Sequence, residues 1–333
     1  MSADVMTDLP LVNNPDQKHK KRPFKLVIWA MLLVVGLFIF KSNKEKPLVS
    51  LNREWRAVAE WGGYGTKQGQ LHQPRQGGVD KEGFVYVMDR ENHRVQKFTS
   101  EGKGVQIWGS LGTGKNQFKQ SFGLAVDAER HFVYVVDTWN NAIKQFDASG
   151  KLKSVIQPKD HHFYGPRSIV MGKDGLFYIS DTGNQRVLGF NAEGKVVRQW
   201  GKGGRGKGEF REPVGIGVDR KGNVYVADME NRRVQKFNSN GQYLLQWPFK
   251  NIKGFPREPY IAMDAEDRVF VSHSEASCFQ VFGPDGKFLG VWGKNLKERP
   301  FDSPIGLSFG PLGEAYVADG QAHKIYKFQK INQ

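Results

Sequence analysis

From about residue 54 onward, apolar and polar positions alternate in short runs, and the runs come in matched pairs. The clearest is GNVYVADMENRRVQKF (222–237), two apolar stretches joined across a turn holding an acidic residue, an asparagine and an arginine. Alternation at period two marks half-buried strands, and no stretch after residue 50 carries a helical period. The frame recurs as GFVYVMDRENHRVQKF (83–98), FVYVVDTWNNAIKQF (132–146) and GLFYISDTGNQRVLGF (175–190), and more loosely as DRVFVSHSEASCFQVF (267–282) and GEAYVADGQAHKIYKF (313–328). Its turn-opening residues are Asp89, Asp137, Asp181, Asp228, His273 and Asp319, at steps of 48, 44, 47, 45 and 46 residues. Such a period belongs to propeller blades or solenoid coils.

Each copy offers four strand candidates, shown in one copy by VGIGVD (214–219), VYVAD (224–228), RVQKF (233–237) and LLQWP (244–248), with short turns such as DRKG (219–222) and NSNG (238–241) making hairpins of neighbours. Four antiparallel strands repeated six times predict an all-β, six-bladed propeller. The last copy has only QKINQ after Phe328, too short for a fourth strand, while AVAEWG (57–62) has the form of an outer strand and precedes the first full copy. It is expected to complete the last blade and so remove the edges of an open ring.

The elements PVGIGVD (213–219), VYVAD (224–228) and NRRV (231–234) resemble the NHL-repeat family over roughly residues 54–330. Copies 1, 3 and 4 match well; copy 2 has Ala142 for the turn arginine, and copies 5 and 6 lose most of the turn. The resemblance implies a propeller serving mainly as an interaction platform. Lyases of similar fold acting on peptidyl-hydroxyglycine put histidine directly after the proline opening the inner strand. Here that register holds Arg75, Phe122, Arg167, Val214, Pro259 and Ile305, so the match fails where a metal would bind. No cofactor is expected; His72, His161, His162 and His273 lie in loops of one face and remain candidates for an irregular metal site. The repeated sets Asp89, Asn92, Arg94; Asp181, Asn184, Arg186; and Asp228, Asn231, Arg233 read as structural turns, since a carboxylate there accepts from local N–H groups and an arginine opening the next strand pairs with it.

A different signal precedes the repeats. The uninterrupted apolar run that begins at Leu26 and ends at Phe40 is expected to be an uncleaved transmembrane signal anchor. This gives a cytoplasmic tail (1–22), anchor (23–41), linker (42–53) and propeller (54–333), the propeller outside the cytoplasm. The single cysteine, Cys278, stands where copy 5 would carry the turn arginine and reads as an inert buried thiol.

Charge adds the functional reading. The formal net charge is +15, and six inter-blade loops (62–75, 109–121, 157–167, 201–213, 248–259 and 293–304) hold 16 Lys or Arg against six Asp or Glu. In a four-stranded blade these loops share a face with the second-to-third turns, so that face is expected to draw anionic partners. The candidate contacts are Arg75 and Arg167 at the channel mouth, with Lys115, Lys119, Lys202, Arg205, Lys207, Arg211, Arg257 and Tyr260 around them. GSLGTGKN (109–116) and GKGGRG (201–206) lack the helix a phosphate loop or dinucleotide fingerprint needs. The expected function is a non-enzymatic, membrane-anchored scaffold recruiting a protein or anionic glycan. The alternatives are a metal-dependent lyase or lactonase and a single-stranded RNA-binding domain, the last excluded if the propeller is extracytoplasmic.

Overall fold

β-Branched and aromatic residues crowd the second strand of every copy, and these strands are buried on both sides: Val85–Asp89, Phe177–Asp181, Val224–Asp228 and Ala315–Asp319 have no exposed position. Period-two alternation predicts half-burial for them. Each is instead sandwiched between neighbouring blades, so both faces pack. The expected alternation is seen in outer strands such as Tyr243–Pro248 and Trp55–Gly62.

The computed structural model describes residues 49–293 and 301–331. They form six four-stranded antiparallel sheets, each running from an inner to an outer strand. The first comprises Pro74–Val79, Val85–Asp89, Arg94–Phe98 and Gly104–Trp108. The inner strands contact one another in a closed cycle, the first against the last, so this is a six-bladed propeller. In the sixth sheet Pro304–Phe309, Ala315–Asp319 and Lys324–Lys330 are completed by the N-terminal strand Trp55–Gly62, whose residues run antiparallel from Trp55 opposite Lys330 to Gly62 opposite Lys324.

The expectation of a transmembrane helix before the propeller is corrected. Among the described residues the only helical pieces are four 3-10 turns of three residues, and no helix is long and apolar enough to cross a membrane. The segment assigned to the anchor lies outside the described residues.

Two devices hold blades together. The outer-strand tryptophan of one blade lies under the third-to-fourth turn of the next: a Cβ on Gly102, Gly150, Gly241 or Gly286 would meet Trp61, Trp108, Trp200 or Trp247 at 2.5–2.7 Å, and all four glycines have φ of +80 to +86°. No side chain fits. At the fifth-to-sixth seam an aromatic cluster takes over, with Trp55 5.3 Å from Trp292 and 5.9 Å from Phe309.

The second device is the turn trio. Asp89 accepts from His72 N (2.7 Å), Asn92 Nδ2 (2.8 Å), Arg94 Nε (2.7 Å) and Gln96 Nε2 (3.0 Å), while Arg94 donates to the carbonyls of Thr66, Lys67 and Gln70 in the incoming loop. Asp228, Asn231, Arg233 and Gln235 repeat this set, and Asp181 with Asn184 and Arg186 keeps its core. The buried Asp89 carboxylate is tolerable because four donors meet it, one of them a cation.

Blade 2 solves the missing arginine differently. Lys144, two positions after Ala142, reaches Asp137 Oδ2 at 2.8 Å and the carbonyls of Gly114 and Gln117. Blade 5 abandons both charges: His273 replaces the aspartate, Cys278 the arginine, and both are fully buried. Burial depresses the His273 imidazole below its ordinary value, so it is neutral.

Candidate functional site

The inter-blade loops end in a left-handed residue two places before the position that faces the axis: Gln73 (φ 50°), Gln120 (51°), Gly165 (60°), Glu212 (57°) and Glu258 (48°). They deliver Arg75, Phe122, Arg167, Val214 and Tyr260 to the mouth of the channel. Counting back from Asp264 gives Pro259 in blade 5. The inner strand there is short, Ile261–Met263, and Tyr260 takes the place, packed with Val214, Ile305 and Met229.

The mouth is divided. Its apolar half is Val214, Tyr260 and Ile305. Its polar half is built on Phe122, whose ring centre lies 5.4, 4.7 and 5.2 Å from the guanidinium carbons of Arg75, Arg90 and Arg167. The aromatic face stabilises cations brought close together. Glu258 spans the gap, accepting from Arg75 Nη1 at 2.9 Å on one oxygen and from Arg167 Nη1 at 2.7 Å on the other, with Glu212 3.5 Å from Arg167. Burial raises the Glu258 carboxyl, but Arg75 and Arg167 outweigh it and hold the group below its ordinary value. Burial pushes Glu212 up; Arg167 opposes this and Glu230 and Glu258 add to it. The Tyr260 hydroxyl, pushed up to about 12 chiefly by burial, lies in the field of Arg75, Glu258, Arg167 and Arg90. Arg90 is tied to Glu91 at 2.7 Å and to the side-chain oxygens of Gln73 and Gln120.

Outward from Arg167 a cleft of about 540 Å³ opens over blades 2 and 3, within the usual range for small-ligand sites. Two large rings stand on its rim, Trp139 and Tyr164, which are 64% and 66% exposed. Tyr164 lies on Gly183, where a Cβ would fall 2.2 Å from Tyr164 Cδ1, and it is pinned by its own N–H to Asp181 and its carbonyl to Gly183 N. Its outer face is therefore offered to the cleft.

Of the sequence-derived contacts, the structure brings together Arg75, Arg167 and Tyr260. Lys115, Lys119, Lys202, Arg205, Lys207 and Arg257 are exposed on the loops; Arg211 pairs with Glu230 (3.1 Å), Arg257 with Glu275 (3.0 Å) and Lys202 with Glu209 (3.4 Å). The histidines are not gathered: His72 meets Tyr64 and His323 edge to face, the His162 carbonyl serves Asn184 and Arg186, and His273 is sealed in the blade 5 turn. Among the described residues no three His, Cys, Asp or Glu could together hold a metal ion. Sequence reasoning missed Trp139, Arg90 and Glu258. The first two occupy the variable pair between the turn aspartate and asparagine, Arg90-Glu91 against Thr138-Trp139, Thr182-Gly183 and Met229-Glu230. Reading those pairs across copies would have singled out the tryptophan.

Comparison with known proteins agrees with this architecture. Residues 78–98 match the family described as NHL repeat, and residues 159–259 the family described as 6-bladed beta-propeller. The RING finger protein nhl-1 of Caenorhabditis elegans is 40% identical over 76 residues, 22% of this chain and 8% of that protein. The probable peptidyl-alpha-hydroxyglycine alpha-amidating lyase pgal-1 of the same organism is 30% identical over 162 residues, 44% of this chain and 43% of that one. The chain thus spans less than half the length of either relative. A gluconolactonase structure from Xanthomonas campestris superposes with a TM-score of 0.61 at 15% identity, covering 79% of this chain and 88% of that one, a likeness of fold alone.

Proposed function

We propose that this chain, a six-bladed propeller built from NHL repeats, is a non-enzymatic binding module that takes an anionic partner into the cleft over blades 2 and 3. The observation that carries this is the pair of exposed rings, Trp139 and Tyr164, in a cleft whose lining also includes Arg90 and Arg167, with Glu212 and Glu230. Exposed aromatic anchors beside arginine are the composition of interaction hot spots. The surplus of Lys and Arg in the surrounding loops supports recruitment, since a field of one sign raises encounter rates in a salt-dependent way.

The test is titration with sodium polyglutamate and with dextran sulfate, an acidic peptide and an acidic glycan, followed by tryptophan fluorescence and calorimetry. Trp139→Ala is expected to weaken the preferred polymer by about 30-fold, the equivalent of about 2 kcal/mol for an aromatic anchor. Unchanged affinity for both polymers would remove the cleft from the interaction.

A metal-dependent lyase or lactonase is the second reading, supported by the lyase among the relatives and the gluconolactonase fold. The described residues do not fit a metal, so no catalytic step is drawn through one. Stoichiometric zinc or calcium in protein purified without chelator would favour that reading.

A further inference from the structure

At the channel mouth, donors outnumber the acceptors that reach them. Glu258 takes one hydrogen bond from Arg75 and one from Arg167. Arg75 Nε and Tyr260 Oη are buried and have no hydrogen-bond partner among the described residues, although Arg75 is only 9% and Tyr260 3% exposed. Buried polar groups in folded proteins are almost always satisfied, so two such donors, the Tyr260 hydroxyl lying in the field of Arg75, call for an acceptor. Charge sets the terms of entry. Arg75 and Arg167 share Glu258, Glu212 lies 3.5 Å from Arg167 and Arg90 has Glu91, so the three guanidiniums are already balanced and an incoming anion must displace a carboxylate.

We propose that the channel mouth is a seat for a compact oxyanion, a carboxylate or phosphate group of the ligand, and that Glu258 holds that seat between Arg75 and Arg167. The proposal rests on the cleft being the ligand site, because the cleft and the seat share Arg167. Glu258 is suited to yield: its side chain is 34% exposed, so its carboxylate can rotate into solvent as another arrives. The exchange conserves charge, and the incoming group gains Arg75 Nε–H and Tyr260 O–H, which Glu258 leaves unused. Arginine's planar fork favours an oxyanion with two accepting oxygens over a spherical halide. Val214 and Ile305 pack against Tyr260 and hold its ring in place.

The test is calorimetric titration of the full chain with sodium acetate, with inorganic phosphate and with chloride at matched ionic strength. Saturable binding of acetate alone identifies a carboxylate seat, and of phosphate alone a phosphoryl seat; either supports the proposal. Glu258→Gln removes the competing anion and is expected to tighten binding about 10-fold, an order of magnitude typical of an internal competitor of modest advantage. Tyr260→Phe deletes a donor without a protein partner, so it should leave the thermal midpoint unchanged or raised while weakening binding at least about 5-fold. If Glu258→Gln does not fold, the Tyr260→Phe comparison decides. Acetate and phosphate binding no better than chloride, or equally well with and without the Tyr260 hydroxyl, overturns the seat. Trp139→Ala separates the two ideas: polymer binding lost on that variant while the small oxyanions never bind would leave the cleft standing and the seat refuted.

Discussion

The blade 2 bracket gives a prediction with an internal control. Blades 1 and 4 join a buried aspartate to an arginine five residues on and a glutamine seven residues on: Asp89, Arg94, Gln96 and Asp228, Arg233, Gln235. Blade 2 has Ala142 and Lys144 at the two later places, and the Lys144 ammonium meets Asp137 with side chains 4% and 0% exposed. Lys144→Gln leaves Asp137 buried without a cation, retaining neutral donors from Lys119 N, Ser121 Oγ and Asn140 Nδ2, with the introduced amide placed to donate as Gln96 does to Asp89. Removing one partner of a buried ion pair costs about 3–5 kcal/mol, and the surviving donors place this case near about 3. In a domain of this size that lowers the thermal midpoint by about 5 °C. Adding Ala142→Arg to Lys144→Gln recreates the arrangement of blades 1 and 4, and a cleft of about 430 Å³ lined by Gly114, Ala142 and Lys144 has room for the new side chain. Most of the loss should return. Calorimetry of the single and double variants measures it. A single variant within about 0.5 kcal/mol of the parent, the range of an ordinary surface change, would show that Lys144 is not the arginine's replacement; so would a double variant no more stable than the single.

Three further outcomes follow from packing and protonation. Trp55→Ala, which opens the aromatic seam against Trp292 and Phe309, should cost about 3–5 kcal/mol in urea unfolding; a loss below about 1 would mean that the seam is carried by strand pairing alone. Gly150→Ala forces a Cβ against Trp108 at φ +80° and should cost more than the about 1 kcal/mol lost when alanine merely replaces glycine in a left-handed turn, whereas Gly222→Ala, with open space around it, should show only the backbone cost. Because burial depresses His273 below its ordinary value of about 6.5, the folded state refuses a proton that the unfolded state accepts, so its contribution is present above about 6.5 and is lost as pH falls through the folded value. Urea midpoints measured from pH 7.5 to 5 should decline, and His273→Gln should flatten the decline; identical profiles would remove His273 as its source.

Period-two runs at steps of 44–48 residues, and the shortage of one strand after Phe328 beside a surplus one at AVAEWG, made the blades and their closure legible because both are properties of repeated pattern. The turn trio was legible for the same reason. What distinguishes one copy from another was not. Lys144 does the work of an arginine from a neighbouring register position, which only side-chain reach reveals. The blade 5 inner strand is shortened, so counting from Asp264 put Pro259 in the place that Tyr260 takes. Arg75 and Arg167 were found at the mouth, but that a single glutamate from the far side bridges them is a long-range fact no local window contains.

The pairing of Trp55–Gly62 with Lys324–Lys330 also sets a schedule for biosynthesis. The first strand of the propeller must wait for residues 324–330 to leave the ribosome before it finds its partner, about 270 positions away, and such distant pairings are slow to form. A nascent chain therefore carries five finished blades and an unfilled clasp until that partner strand emerges. A premature stop codon anywhere upstream of Lys324 would release a product that cannot fasten, and quality-control proteases should recognise it as one unfinished whole.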